Sequence, residues 1–232
     1  MKEIAGEKLE DSLTTNTLKI FFRVLLLLGI LILCTIHQEA LAGSPSGSQF
    51  SSFWVGYYLP RDSLFQKVYP DDKEVSFFAE YSRVWADRIE ASLGLGGTYF
   101  KGSALNADNT PNIDTVRLTI IPTYIQLSYF LRFGPDQKLV PYAGAGLDAW
   151  GYQEKKEEDT TRGFKYGYHY LAGLRFLLDW LDPQAATRLS RDEGFVNTYL
   201  VIEARSAHIN NFRNSKLDLS GIIYRVGISL EF

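Results

Sequence analysis

The sequence predicts an all-β fold: an eight-stranded antiparallel up-and-down transmembrane β-barrel preceded by an N-terminal signal peptide. Three observations predict it. A charge-free apolar run near the N-terminus ends in small residues. From Phe50 onward, apolar and polar side chains alternate with the period of two that a strand imposes. The connections between the alternating segments are by turns long and short.

Composition sets the outer limits. The 24 Lys+Arg against 27 Asp+Glu leave a net charge of -3 with no basic block, which excludes a strongly basic nucleic-acid binder. A mean hydropathy of -0.10 excludes a polytopic helical membrane protein but not a membrane barrel, whose alternating strands average to ordinary values. The only cysteine, Cys34, excludes a disulfide framework and a CxxC zinc pattern.

The first element is the signal peptide. Val24–Ile36 is a 13-residue run without charge, preceded by Lys19 and Arg23 and followed by the small-x-small exit Ala40-Leu41-Ala42. The run is short for a bilayer-spanning helix, which needs about 20 residues. Cleavage is expected after Ala42, and it removes Cys34, which suits passage through an oxidising compartment. The leader before Arg23 is long and carries Glu3, Glu7, Glu10 and Asp11, which an upstream start codon would explain. An uncleaved anchor helix and a lipoprotein are the alternatives, but Leu33 stands where a lipoprotein needs a small residue before Cys34. The organisation expected is a signal peptide over 1–42, a flexible lead-in over 43–49 and a barrel over 50–232.

The strands follow in order: Phe50–Leu59, Val75–Trp85, Ile89–Lys101, Thr115–Phe133, Leu139–Gln153, Phe164–Leu178, Phe195–His208 and Leu219–Phe232. Several exceed the five or six residues typical of soluble strands and suit a tilted membrane crossing of about 9–11 residues. The last is the clearest, with Tyr224, Val226, Ile228, Leu230 and Phe232 on one face and Arg225, Gly227, Ser229 and Glu231 on the other. Thr115–Phe133 changes phase midway, from Val116, Leu118 and Ile120 to Ile125, Leu127 and Tyr129, so a bulge is expected at Pro122. Polar loops at 60–74, 102–114, 154–163 and 209–218 alternate with connections at 86–88, 134–138 and 179–194. The last of these, 16 residues long, breaks the short-turn pattern, and a short helix is expected from Trp180-Leu181 with Gln184–Leu189. Long loops on one side and short turns on the other place the loops outside the cell and both termini in the periplasm.

Assigning the apolar parity to lipid leaves a charged interior: Glu80, Glu90, Arg117, Asp148, Lys165, Arg175, Glu203, Arg205, Arg225 and Glu231, with His169. An eight-stranded barrel is just wide enough for side chains to fill. Buried charges must be paired, and five acids against five bases point to a lumen plugged by ion pairs, whereas a selective channel favours one sign.

Several stretches resemble the OmpW-like small outer-membrane β-barrel superfamily, which includes OmpA- and OmpX-type barrels. They are Gly94–Phe100, Ile120–Tyr124, Val140–Leu147, Gly167–Leu174 and the terminal Tyr224–Phe232, together reaching across the whole of 50–232. The resemblance implies the outer membrane as location, with outer-membrane lipid and lipopolysaccharide as surroundings. It also implies a barrel-assembly signal formed by Tyr224, Val226, Ile228, Leu230 and Phe232, read by the barrel-assembly machinery. It further implies a role in membrane structure, surface interaction or passage of a small hydrophobic molecule, none of which matched residues carry.

Catalytic chemistry has one opening. Some eight-stranded outer-membrane barrels remove acyl chains from lipid A with a His-x-Ser pair near the last hairpin. Ser206-Ala207-His208-Ile209-Asn210 has similar spacing, but Asn210 replaces the nucleophile, and an amide cannot attack an ester. By parity His208 lies on the outward face as a solvated rim residue, so no enzyme is expected; a lipid A-modifying enzyme at the outer rim and a narrow channel are the alternatives. With His169 and His208 the only histidines after the leader, no multi-histidine metal site is expected, and no cofactor. Tyr166, Tyr168 and Tyr170 read as an interfacial aromatic belt, and Glu154–Asp159 as a solvated loop.

Overall fold

The computed structural model describes residues 48–69, 74–85, 88–105, 111–134, 137–156, 159–212 and 217–232; the signal peptide and most of the lead-in lie outside them. The strands are β1 (Gln49–Pro60), β2 (Glu74–Trp85), β3 (Ile89–Leu105), β4 (Pro111–Phe130), β5 (Leu139–Lys156), β6 (Asp159–Leu177), β7 (Asn197–His208) and β8 (Gly221–Glu231). Each pairs antiparallel with its sequence neighbours, and β1 pairs with β8 to close the barrel. Gln49 N donates to Phe232 O at 3.2 Å and Phe232 N to Gln49 O at 3.0 Å, which seals the ends. Closure satisfies the backbone that hydrocarbon cannot hydrate.

The two faces of the wall differ sharply. On β4, Leu127 is 61% exposed while its neighbour Ser128 is 2% exposed. Phe53, Val55, Leu93, Leu95, Ile125, Leu147, Leu174, Ile202, Val226 and Ile228 share the outward face. Tyr57, Phe77, Tyr99, Tyr166 and Tyr170 border this apolar band toward the loops, and Trp85, Tyr129, Phe133 and Trp180 border it toward the turns. A greasy exterior between two aromatic girdles matches a wall built against lipid.

The expected phase change at Pro122 does not occur. Even-numbered residues point inward along β4 from Val116 to Phe130, and the β4–β5 register runs unbroken from Val116 to Phe130. Val116, Leu118 and Ile120 therefore lie inside, and Arg117 faces outward and exposed, which corrects its assignment to the interior. The inversion is the one a change of surrounding medium at Pro122 would impose: a wall in hydrocarbon turns apolar residues out, and a wall in water turns them in. Pro122, lacking an N–H, sits where the β3–β4 ladder skips, and the register irregularity lies instead at Ser103/Leu105.

The strands also outrun their expected ends on the loop side. The polar segments expected as loops at 102–114 and 154–163 largely continue as β3–β4 and β5–β6 ladders, with Lys155 opposite Thr160 and Gln153 opposite Arg162. Two helices sit in the connections. The first, α1 (Ser63–Val68), is started by the Asp62 side chain, which accepts from Leu64 N at 2.9 Å. The second, α2 (Pro183–Glu193), occupies the long turn and includes the expected Gln184–Leu189, but Trp180-Leu181 lie before it in a turn, because the Asp182 cap and Pro183 start the helix; Gly194 at φ 78° ends it.

Candidate functional site: the barrel interior and its loop-side rim

The inward residues form layers. In the middle, Arg225 on β8 reaches across the lumen: its Nε donates to Glu203 Oε1 at 2.8 Å, its Nη2 to Glu80 Oε2 at 3.1 Å and its Nη1 to the Tyr124 hydroxyl at 2.7 Å. Tyr124 in turn donates to Glu80 Oε2 at 2.7 Å, and Tyr142 to Glu203 Oε2 at 3.0 Å. Arg205 lies 3.4 Å from Glu203 and donates to Gln126 Oε1 at 2.6 Å. Aromatic faces cover both guanidinium groups, Trp54 under Arg225 at 4.0 Å and Tyr124 under Arg205 at 3.9 Å. Five strands thus contribute to one hydrogen-bonded cross-brace: β2, β4, β5, β7 and β8.

Nearer the turns, Arg175 pairs with Glu90 at 3.0 Å, its guanidinium 4.5 Å from both the Phe50 and Phe130 ring centroids. At the closing seam, Glu231 accepts from Tyr199 at 2.9 Å and from Asn197 at 2.8 Å. Toward the loops, His169 Nδ1 lies 2.6 Å from Asp148 Oδ2 and its Nε2 lies 3.2 Å from Gln126 Oε1. Trp150 Nε1 donates to the other Asp148 oxygen at 3.1 Å. Lys165 lies inside at the loop end, 5.9 Å from the Tyr152 ring centroid.

Of the eleven charged positions read from parity, the structure brings Glu80, Glu203, Arg205 and Arg225 into one cluster and Glu90 with Arg175 into another. It pairs Asp148 with His169, and seats Lys165 and Glu231 at opposite ends. Arg117 alone stands outside. The buried charged residues among those described are then five carboxylates, four Lys/Arg and His169.

Above the charged layers the interior turns apolar. Tyr58, Phe100, Leu118, Ile120 and Trp150 are buried there, and Phe65 of α1 with Tyr69 just beyond it joins them from the mouth. The Phe65 ring meets Phe100 edge-on at 5.1 Å, and Trp150 meets Tyr58 at 5.5 Å. Gly102 makes room for α1: a Cβ there would lie 1.9 Å from Val68 O. Burial, with the nearby Glu154 charge, raises the Tyr69 phenol well above its usual range, and burial also raises Glu154 above the ordinary carboxylate range. Sequence reading missed this cap. Its signal was present in Phe65 and Tyr69, four apart in a segment opened by Asp62, but a six-residue helix is too short to show a period.

On the outer rim, Ser206 and His208 share the outward face of β7. Ser206 Oγ accepts from Arg61 Nη2 at 3.2 Å, and His208 Nδ1 is buried without a hydrogen-bond partner. A histidine oriented by a carboxylate on that nitrogen is therefore not built here. Among the described residues no three His, Cys, Asp or Glu side chains gather to hold a metal, and no helix is long and apolar enough to cross a membrane.

The chain is similar in structure to the outer-membrane protein OprG from Pseudomonas aeruginosa, with a TM-score of 0.56 and 12% identity over 82% of this chain and 98% of that one. It has the fold of a small outer-membrane β-barrel. Neisserial surface protein A aligns over 80% of this chain and 97% of its own at 13% identity, with a TM-score of 0.48. The N-terminal β-barrel domain of Pseudomonas aeruginosa OprF aligns over 81% and 98% at 13% identity, with a TM-score of 0.47. No family model matches the chain. No curated protein matches it. The barrel's likeness is thus one of architecture, and its interior must be read from its own residues.

Proposed function

We propose that this protein is a non-enzymatic outer-membrane barrel with a closed lumen, serving membrane structure and surface interaction. One observation carries the reading: Arg225 braces β8 against β2, β4 and β7 across the middle of the lumen, with each guanidinium nitrogen bonded to a protein oxygen. An ion path along the axis would have to break that brace, at a cost of several kcal/mol. Planar-bilayer recordings of the purified barrel should stay at background conductance; stepwise single-channel currents from wild-type protein would overturn the closed lumen.

The apolar layer under α1 supports a second reading, passage of a small hydrophobic molecule. It is built of Tyr58, Phe100, Leu118, Ile120 and Trp150. Uptake of hydrophobic solutes by cells with and without the protein separates the two: equal rates leave the structural role, and faster uptake with the protein favours passage. The partners follow from the same reading. Outer-membrane lipid and lipopolysaccharide surround the apolar band, and the assembly machinery reads the alternate residues Tyr224, Val226, Ile228, Leu230 and Phe232. The first three of these are exposed on the outward face. Phe232→Ala should lower the heat-modifiable fraction recovered from cell membranes while leaving refolding in detergent unchanged. An equal loss in both would make Phe232 a stability residue instead.

A further inference from the structure

At the loop end of the outer wall, β6, β7 and the segment after β7 build an aromatic stack that neither the lumen nor barrel closure requires. Tyr168 and His208 stand opposite each other on the β6–β7 ladder. Their rings lie parallel within 10°, with centroids 4.9 Å apart. The Phe212 ring stacks on Tyr168 at 6.4 Å and 23°, and Tyr170 meets His208 edge-on at 6.4 Å. Gly167 permits the approach, since a Cβ there would lie 1.9 Å from His208 O.

The backbone is strained to present this stack. Asn211 and Phe212 have φ of 53° and 56°, the only positive values outside glycine among the described residues. Such conformations cost of order 1–3 kcal/mol each and persist only where the surroundings enforce them. Here Asn211 N donates to Tyr166 O at 3.0 Å, and Tyr166 N donates to Asn211 Oδ1 at 2.9 Å. The result lifts Phe212 off the barrel and leaves it 62% exposed.

Two further features adjoin the stack. Arg61, exposed, is tethered by Ser206 two residues before His208, which sets a guanidinium beside the rings. Directly below, an outward groove of about 790 Å³ runs down the wall. Its floor includes Ala172, two residues below Tyr170, and Ala204, two below Ser206; Val55, Leu174, Ile202 and Val226 help line it. Aromatic faces favour the C–H faces of a sugar ring, a guanidinium favours phosphate, and an apolar groove favours an acyl chain. An aromatic belt alone needs no left-handed turn and no tethered arginine.

We infer that this rim binds one acylated, phosphorylated glycolipid of the outer leaflet. The sugar rests on Phe212, which Tyr168 backs, a phosphate meets Arg61, and an acyl chain lies in the Ala172–Ala204 groove. The inference rests on the reading of the chain as an outer-membrane barrel with its loops outward.

Native mass spectrometry of the full-length protein purified in detergent tests it, with lipid A, phosphatidylglycerol and glucosamine 1-phosphate as probes. Wild-type barrel should retain one lipid A. Arg61→Gln and Phe212→Ala, both at exposed sites, should each weaken retention about tenfold, the loss expected for one charge-assisted contact at Arg61 and for one lost aromatic face at Phe212. Equal retention of phosphatidylglycerol would reduce the site to ordinary boundary lipid and overturn the inference. So would variants that hold lipid A as wild type does. Displacement of lipid A by equimolar glucosamine 1-phosphate would overturn the lipid and leave a free sugar phosphate as ligand. Heat-modifiable gel migration of the same samples separates the failures. Without a shift in wild type the barrel reading falls; with a shift but no lipid A retained, only the site falls.

Discussion

Arg225 concentrates the interior energetics in one side chain. Its guanidinium bonds Glu203, Glu80 and Tyr124, and its flat face lies on Trp54. Removing it leaves Glu80 buried without a cation, while Glu203 keeps Arg205 alone. Breaking one member of such a cluster costs about 3–5 kcal/mol, more than the intact pairing contributes, because the orphaned charge keeps its desolvation penalty. Arg225→Met, which keeps the volume and loses the charge, should therefore destabilise the barrel by about that amount in urea unfolding followed by gel mobility. The double change Arg225→Met, Glu80→Gln should recover much of the loss, since the remaining Glu203 keeps Arg205 at 3.4 Å and no bare charge is left. If the double variant unfolds as early as the single one, shape and not charge balance governs this layer.

At the scale of elements, the interior was legible in the sequence wherever the wall meets lipid. There the alternation is between apolar and polar, and Glu80, Glu203 and Arg225 fall on the polar parity that the coordinates turn inward. It was not legible above Pro122, where the same strand meets water and the preference reverses. Val116, Leu118 and Ile120 carry the same alternation as the lipid-facing residues below but obey the opposite rule, so parity alone sends them outward and Arg117 inward. The β5–β6 extension was hidden for a related reason: Lys155, Lys156, Thr160 and Thr161 are all exposed, and two solvated faces leave no period. The aromatic partners Tyr124 and Tyr142 were hidden because a tyrosine on either face of a membrane strand has a use. The reversal is open to a paired test. Leu118→Asp buries an unpartnered carboxylate and should cost several kcal/mol, whereas Arg117→Ala changes an exposed residue and should stay within about 0.5 kcal/mol. Urea midpoints in one detergent would check it, and the opposite order would restore the phase change and place a bulge at Pro122.

For the whole molecule, the point where the apolar parity inverts fixes how deep the barrel sits. The outward face carries Ile125, Leu127 and Tyr129 on one side of Pro122, and Arg117 and Thr119 on the other, along a single unbroken strand. Hydrocarbon stabilises the first set by roughly 25 cal/mol per Å² of apolar surface kept from water, and it penalises an arginine at mid-depth by about 2–4 kcal/mol. Those terms act on every strand at once, so the barrel has one favoured depth, with the β3–β6 extensions standing above the bilayer. The chain's single cysteine is Cys34, so single-cysteine probes at 117 and 127 start from a clean background once Cys34 is replaced by serine. A fluorophore at Leu127→Cys should be quenched by bromine-labelled lipid tails and ignore iodide in the buffer. At Arg117→Cys the pattern should reverse. Quenching of both sites by lipid would bring the strand extensions into the membrane, and with them the apolar layer under α1. That layer would then lie at bilayer depth, and the hydrophobic-passage reading would gain over the structural one.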